Sequence, residues 1–316
     1  MEKIYDVIII GGGPGSMSAA VYAKQMGLDT LLIEKETFGG QVAETSSVEN
    51  YLGFKYITGA ELSEKMHAHA ESTGVEIVKG EVVKTILDSD IKEVYTHAEK
   101  YQSYAVIIGI GTMARNLGCE NERTYIGKGI SFSSLKDREK YTDKTVAVVG
   151  GGNSAIEDAL YLSEKCEKVY LVHRRNEFRA DAGVSDRLKA KTFPAGNIEL
   201  VLESKPHSLE GDDKISALNV THIPTDTIRR LEVDCIFVAI GRGANTDIID
   251  EAVVRDNSGY IVTDERMNTN LGGVYAVGDI RTTPLRQIVT AVADGAIASV
   301  SALNYTRELK KKLLSN

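Results

Sequence analysis

Two glycine turns carry the residues most able to do chemistry in this chain. Gly11-Gly12-Gly13-Pro14-Gly15-Ser16 follows the apolar run Tyr5–Ile10, and Gly150-Gly151-Gly152-Asn153-Ser154-Ala155 follows Val146–Val149. In the pattern G-x-G-x-x-G/A the first glycine permits a tight turn. The second lets a pyrophosphate approach the backbone at a helix N-terminus, and the small third residue allows close helix–strand packing. Gly11, Gly13 and Ser16 fill that pattern in the first copy, with serine as a departure at the third position. Gly150, Gly152 and Ala155 fill it in the second.

The residue ending the next apolar run decides which nucleotide each turn suits. It is Glu34 after the first turn and His173 after the second, each 23 residues beyond the first turn glycine. A carboxylate accepts hydrogen bonds from a ribose diol and repels a 2′-phosphate. His173-Arg174-Arg175, with Arg179 four residues on, offers guanidinium forks suited to phosphate. The second turn is therefore expected to take NADPH, with NADH as the alternative. FAD is expected at the first, because Phe38-Gly39-Gly40-Gln41 provides a loop where a longer cofactor would extend. Gly278-Asp279, ending the apolar run from Val274, supplies a carboxylate for ribitol hydroxyls.

These turns need elements to hold them. Each lies in a strand–turn–helix–strand repeat, so an internal duplication of βαβ units is expected. The fold expected is α/β: two Rossmann-like three-layer dinucleotide-binding domains, the NAD(P)H domain inserted in the FAD domain. Residues 1–113 and 246–316 would form the FAD domain and 114–245 the NAD(P)H domain. Alternation from Val75 to Ile108, and again from Asn197 to Ala239, reads as antiparallel meanders. A strand pair is expected at Tyr260–Val262 and Val274–Val277, and a long helix from about Leu285 to Leu313.

The chain has 316 residues, 37 basic and 45 acidic, which gives no support to nucleic-acid or anionic-membrane binding. No uninterrupted apolar run approaches the ~18 residues of a membrane span. Its three cysteines, Cys119, Cys166 and Cys235, are far apart and fit a reducing cytoplasm, the expected location. No metal site is expected.

The ordered segments GGGPGS, FGGQ, VENYLGF, VAVVGGGNSA, HRRNEFRA, IFVAIG, AVGDI and PLRQIVTA resemble the low-molecular-weight thioredoxin reductases over essentially the whole chain. That resemblance implies that Gly40, Gln41, Asn50 and Gly111 lie at FAD, and that Asp279 holds the ribitol. It also implies Arg286, Gln287 and Ile288 beside the isoalloxazine, and a homodimer. Two local departures are Gly109-Ile110-Gly111 in place of Ala-Thr-Gly and Leu52 in place of proline.

A larger departure follows Gly127-Lys128-Gly129-Ile130-Ser131-Phe132. The resemblance implies Cys-x-x-Cys-Asp there, and the chain has Ser133-Ser134-Leu135-Lys136-Asp137. Neither serine nor lysine can form a disulfide or attack one as a thiolate does. Cys166 and Cys235 read as small core residues, and Cys119 is the one candidate free thiol. Electrons are then expected to leave the flavin directly, for a small carrier such as ferredoxin or flavodoxin. The thioredoxin-reductase-type ferredoxin–NADP reductases, which the chain also resembles, lack the motif too. The alternatives are an oxidase, quinone or dye reductase, a disulfide reductase using an external thiol, and a non-catalytic redox sensor. Lys136 is expected to stabilise reduced flavin or to dock an acidic carrier, and Asp137 matches an acid–base residue without its partner.

Overall fold

The computed structural model of the protein describes residues 3–45, 47–178 and 182–315. The chain divides into two compact units, Met1–Met113 with Gly243–Asn316, and Ala114–Arg242. The second crossing thus falls at 242/243, three residues before the expected 245/246.

The first unit begins with β1 (Ile4–Ile10), α1 (Pro14–Gln25), β2 (Thr30–Glu34), α2 (Gly59–Ser72) and β3 (Glu76–Lys79). It continues through β4 (Val82–Ile86), β5 (Lys92–Thr96) and β6 (Lys100–Ile108). These strands form one sheet in the order β3-β2-β1-β6-β5-β4. β1 runs parallel to β2 and β6, and β2 parallel to β3. The expected meander from Val75 is therefore shorter. β3 is parallel because α2 is a crossover helix between β2 and β3, and only β4–β5–β6 is antiparallel.

Two-residue strands β7 (Met113–Ala114) and β16 (Arg242–Gly243) mark the crossings between units. The second unit contains β8 (Ile130–Ser131), α3 (Ser134–Asp137), β9 (Thr145–Gly150), α4 (Asn153–Ser163) and β10 (Lys168–Val172). After these come α5 (Ala182–Lys191), β11 (Ile198–Val201), β12 (Ser204–Gly211), β13 (Ile215–His222), β14 (Thr227–Glu232) and β15 (Cys235–Ala239). A parallel sheet has the order β11-β10-β9-β15-β8, and β12-β13-β14 form a separate antiparallel sheet. Only the middle of the expected Asn197–Ala239 meander is antiparallel. Its first and last strands, β11 and β15, belong to the nucleotide sheet.

The chain returns to the first unit through β17 (Val274–Ala276) and α6 (Ile288–Ser315). β17 pairs with β6 in parallel, and Ile261 makes only isolated bridges, to Arg255 and Arg281. The strand pair expected between Tyr260–Val262 and Val274–Val277 is thus absent among the described residues. α6 starts three residues later than expected, and Thr290 Oγ1 bonds the Leu285 and Gln287 carbonyls at its start.

Both sheets are buried on two faces, so their central strands read as continuous apolar runs. In β1, Ile8 and Ile10 pack on one side, while Val7 and Ile9 face Ala19, Ala23, Ala298 and Ala302 of α1 and α6. Each such Ile contributes roughly 1.5–3 kcal/mol of burial. Small residues let α1 and α6 approach closely: a Cβ on Gly295 would stand 2.8 Å from the Ala19 nitrogen. An 18-residue window of α6 has a mean hydropathy of 1.3. Its buried face on α1 accounts for part of that, and it carries a carboxylate, Asp294.

Candidate functional site

The first turn is shaped by backbone contacts. Gly11 has φ +101°, and a Cβ there would lie 2.5 Å from the Gly109 carbonyl oxygen, so only glycine fits. Gly13 caps α1 with no side-chain bond, Pro14 occupies the first turn, and no acidic residue lies in it. The space beside the Gly13 Cα is open to 4 Å. By contrast α2 is capped by its own Thr58, whose side chain accepts from the Glu61 amide. The free amides at the start of α1, at the positive end of the helix dipole, fit a pyrophosphate. Gly15 and Ser16 are buried on the first turn of α1, Gly15 against Ala291 and Val277.

Glu34 closes over this turn, its Oε2 accepting from Gly12 N–H and its Oε1 from Glu36 N–H at 2.7 Å. The carboxylate is thereby placed at the end of β2, where a ribose diol would meet it. Gly39 N–H donates to the Gly12 carbonyl at 2.9 Å, which seats the 38–41 loop against the turn. Gly40, at φ +53°, passes beside Gly13. Gln41 Nε2 then donates to Thr112 Oγ1 at 3.0 Å and to Asp279 Oδ2 at 3.4 Å, with Gly111 alongside. Asn50 Nδ2 donates to Gln287 Oε1 at 3.1 Å. Arg286 Nε donates to the Asp279 carbonyl at 3.4 Å, and its guanidinium lies 4.1 Å from the Tyr260 ring centre. Ile288 opens α6 and packs with Val42, Val48 and Ile57. Residues expected at FAD from seven separate stretches of sequence are brought together in one unit.

Three members of this neighbourhood were not foreseen. Thr112 holds Gln41, as above. Asp294, 7% exposed, accepts from Gly278 N–H at 3.0 Å and pairs with Arg281 at 3.3 Å. Burial pushes its carboxyl above the ordinary range, against the pull of Arg281. The pair anchors the Gly278 turn (φ +69°) that presents Asp279. A lone acid within the apolar run of α6 was the available signal.

The departures at Ser16 and Gly109 are one feature. Ser16 is fully buried and its Oγ donates to the Gly109 carbonyl at 3.4 Å. A Cβ at residue 109 would collide with that Oγ. With its side chain in this orientation, serine at the third turn position leaves no room for the alanine that the resemblance implies at 109.

The second turn repeats the plan. A Cβ on Gly150 would collide with the Ala239 carbonyl, and Gly152 caps α4 without a side-chain bond beside open space. Gly150, Gly152, Asn153, Ser154 and Ala155 line a cavity of about 690 Å³, shared with His173, Arg174 and Arg175. Arg174 and Arg175 are exposed. His173 differs from its expected place in the phosphate cluster: it is 9% exposed and its ring lies over Gly151 and stacks on Phe178. Its Nε2 lies 3.1 Å from the Glu177 carbonyl. Arg179 lies outside the described residues.

Polar bonds tie down the segment where a dithiol was implied. Ser133 Oγ accepts from Lys136 N–H at 3.4 Å, and Ser134 Oγ donates to Asp158 Oδ1. Burial raises the Asp137 carboxyl, but Lys140 at 2.7 Å and Ser131 at 2.7 Å outweigh it and hold it below the usual value. Lys136 is exposed on α3. All three thiols are free. Burial pushes Cys119 and Cys166 up to about 11 and Cys235 up to about 12, so none is a thiolate at neutral pH. Among the described residues no group of three His, Cys, Asp or Glu could hold a metal ion.

Residues 5–295 match the family model for pyridine nucleotide-disulphide oxidoreductase. The chain is 38% identical over 313 residues to a thioredoxin reductase of Listeria monocytogenes, covering 99% of this chain and 97% of that one. It is 37% identical over 305 residues to a Clostridium pasteurianum protein described as a 34.2 kDa protein in the rubredoxin operon, covering 96% and 98%. The Lactococcus lactis thioredoxin reductase structure, in its FR conformation, is similar with a TM-score of 0.84 and 35% identity, over 96% and 99% of the two chains.

Proposed function

The chain belongs to the pyridine nucleotide-disulphide oxidoreductase family, among its thioredoxin-reductase-like members, and on that premise we propose that its electrons leave the flavin directly for an external carrier. FAD and NADPH are its cofactors, and together they supply hydride transfer from nicotinamide to flavin and release of electrons singly or in pairs. The α1 N-terminus and Glu34 would hold the FAD pyrophosphate and ribose. Gln41, Asp279 and Arg286 would hold the ribitol and ring ends. The α4 N-terminus would take the second pyrophosphate, and Arg174 and Arg175 the 2′-phosphate. His173 packs its ring over Gly151 of that turn.

One observation carries the proposal: residues 133–136 are Ser-Ser-Leu-Lys, and none of the three thiols lies in a Cys-x-x-Cys. A relay through protein sulfur needs two thiols in bonding reach and one of them ionised. The three thiols are free, and burial raises each of them, so none is the ionised member such a relay needs. The acceptor we assign is a small electron carrier of the ferredoxin or flavodoxin kind, with exposed Lys136 as a docking cation. The rubredoxin operon in the description of one relative supports a small iron-protein carrier. The thioredoxin reductase names of other relatives favour a second reading, reduction of a disulfide through an external thiol.

An anaerobic titration separates these. NADPH is expected to bleach the yellow protein at lower concentration than NADH. Ferredoxin, flavodoxin or rubredoxin should then restore the oxidised spectrum, and Lys136→Ala should slow that step. Recovery with thioredoxin alone, at the rate given by the carriers or faster, would overturn the proposal.

A further inference from the structure

We propose that Lys205 is a specificity-determining residue for NADPH, placing an ammonium beside Arg174 and Arg175 at the 2′-phosphate. The inference rests on the assignment of the second turn to NADPH. Lys205 is 30 residues beyond Arg175 and belongs to no recognised nucleotide motif, but it lines the same 690 Å³ cavity as both arginines. Two backbone bonds put it there. Ser204 N–H donates to the His173 carbonyl at 2.9 Å, and Glu203 N–H donates to the Arg175 carbonyl at 3.1 Å. The start of β12 is thus zipped along the segment that leaves β10. Glu203 adopts φ +48°, a left-handed conformation that residues other than glycine seldom take. That turn swings the chain from β11 into β12. Ser204 is then buried and Lys205, the next residue, is exposed at the cavity.

Several cations of this unit are matched by glutamates: Lys168 and Arg229 pair with Glu199, and Arg230 pairs with Glu210 and Glu232. Among the described residues Arg174, Arg175 and Lys205 enter no ion pair, although they line one cavity. Arg115 and Arg242 line the same cavity, and Asp158 is the one carboxylate among its described lining residues, so the lining is net positive and suited to an anion. The pyrophosphate belongs at the start of α4, which leaves the 2′-phosphate as the group to meet this edge. An ammonium adds a compact point charge there, complementary to the planar forks of the arginines.

The test uses the FAD-loaded protein and compares binding of 2′,5′-ADP with 5′-ADP by calorimetry, which reads the 2′-phosphate without turnover. Lys205→Ala should weaken 2′,5′-ADP by about tenfold, the size of one charge-assisted hydrogen bond, and change 5′-ADP less than about twofold. Lys205→Arg should restore most of the loss. Retained 5′-ADP binding reports that the unit is folded, and Lys205→Gln serves if the alanine variant is not. If Arg174→Ala lowers the 2′,5′-ADP preference and Lys205→Ala leaves it unchanged, the role of Lys205 is overturned and the NADPH assignment stands. If neither variant changes the preference, the phosphate does not meet this edge and both fall.

Discussion

At the first turn the Glu34 side chain lies over Gly12, and at the second the His173 ring lies over Gly151. The surroundings are alike. The first glycine of each turn meets a carbonyl at or just past a strand end, Ala239 or Gly109, and the glycine before each helix faces open space. What differs is the charge at the rim. Glu34 presents a carboxylate bonded to turn amides, while His173 is turned inward and leaves the rim to Arg174 and Arg175. In the proposed assignment one backbone device would take both pyrophosphates, and the residues following the second strand would separate a diol from a phosphate. The middle glycine serves neither purpose directly. It makes room for the side chain that follows the second strand's apolar run, Glu34 in one turn and His173 in the other, which is why both turns carry three glycines in a row.

The sharpest way to break this comparison is at the second rim. Arg174→Ala with Arg175→Ala should lower the preference for NADPH over NADH by about 10²-fold, as expected for two charge-assisted contacts, with FAD content unchanged. Steady-state kinetics with both nucleotides would show it, and an unchanged preference would remove the basis for assigning the two turns. Next in size is the Ser16–Gly109 pair. Gly109→Ala should cost about 1–3 kcal/mol by overpacking, and Ser16→Gly in the same chain should recover most of it. Denaturant unfolding of the four variants measures the coupling; additive effects would mean the two departures are independent.

A smaller effect is expected at the first rim. Glu34→Gln should weaken FAD by about tenfold, through loss of one charge-assisted bond, without altering the choice between NADPH and NADH. Flavin release followed by fluorescence checks the first part. The smallest effect concerns Asp158, which burial raises above the ordinary carboxylate range despite its bond from Ser134. A raised carboxyl favours the protonated form in the fold. Its stabilising contribution is full below the ordinary carboxylate value and is lost as pH rises through the raised one. Asp158→Asn should therefore raise Tm by about 2–4 °C at neutral pH and by less in acid. A gain independent of pH would show that Asp158 is not the titrating group.

The duplicated units were legible because a buried parallel strand and a glycine turn leave local marks in order along the chain. Strand partners were less so. Glu76–Lys79 and Ile198–Val201 alternate like hairpin strands, yet each pairs in parallel, with β2 and β10, because the preceding helix carries the chain across the sheet. Alternation reports which faces are covered and not which strand lies alongside. The site shows the same limit. Gln41 and Asp279 could be placed near one cofactor, but not the Thr112 hydroxyl that also accepts from Gln41, or the Asp294–Arg281 pair behind the turn. His173 reads as part of a basic run, and its inward rotation is visible only against Gly151.

The sequence by itself determined that there are two dinucleotide turns, that a carboxylate follows one and arginines the other, and that no Cys-x-x-Cys is present. Each of these depends on residue type at short spacing, which the chain carries whatever its fold. Tertiary structure alone decided that Ser16 and Gly109 are one feature, that Asp294 anchors the Gly278 turn, and that Lys205 joins the arginines. Those residues are separated by 16 to 93 positions and meet only once strands are paired and helices packed. The physical reason is range: a turn is written by neighbours along the chain, whereas a contact needs the whole sheet to bring it about.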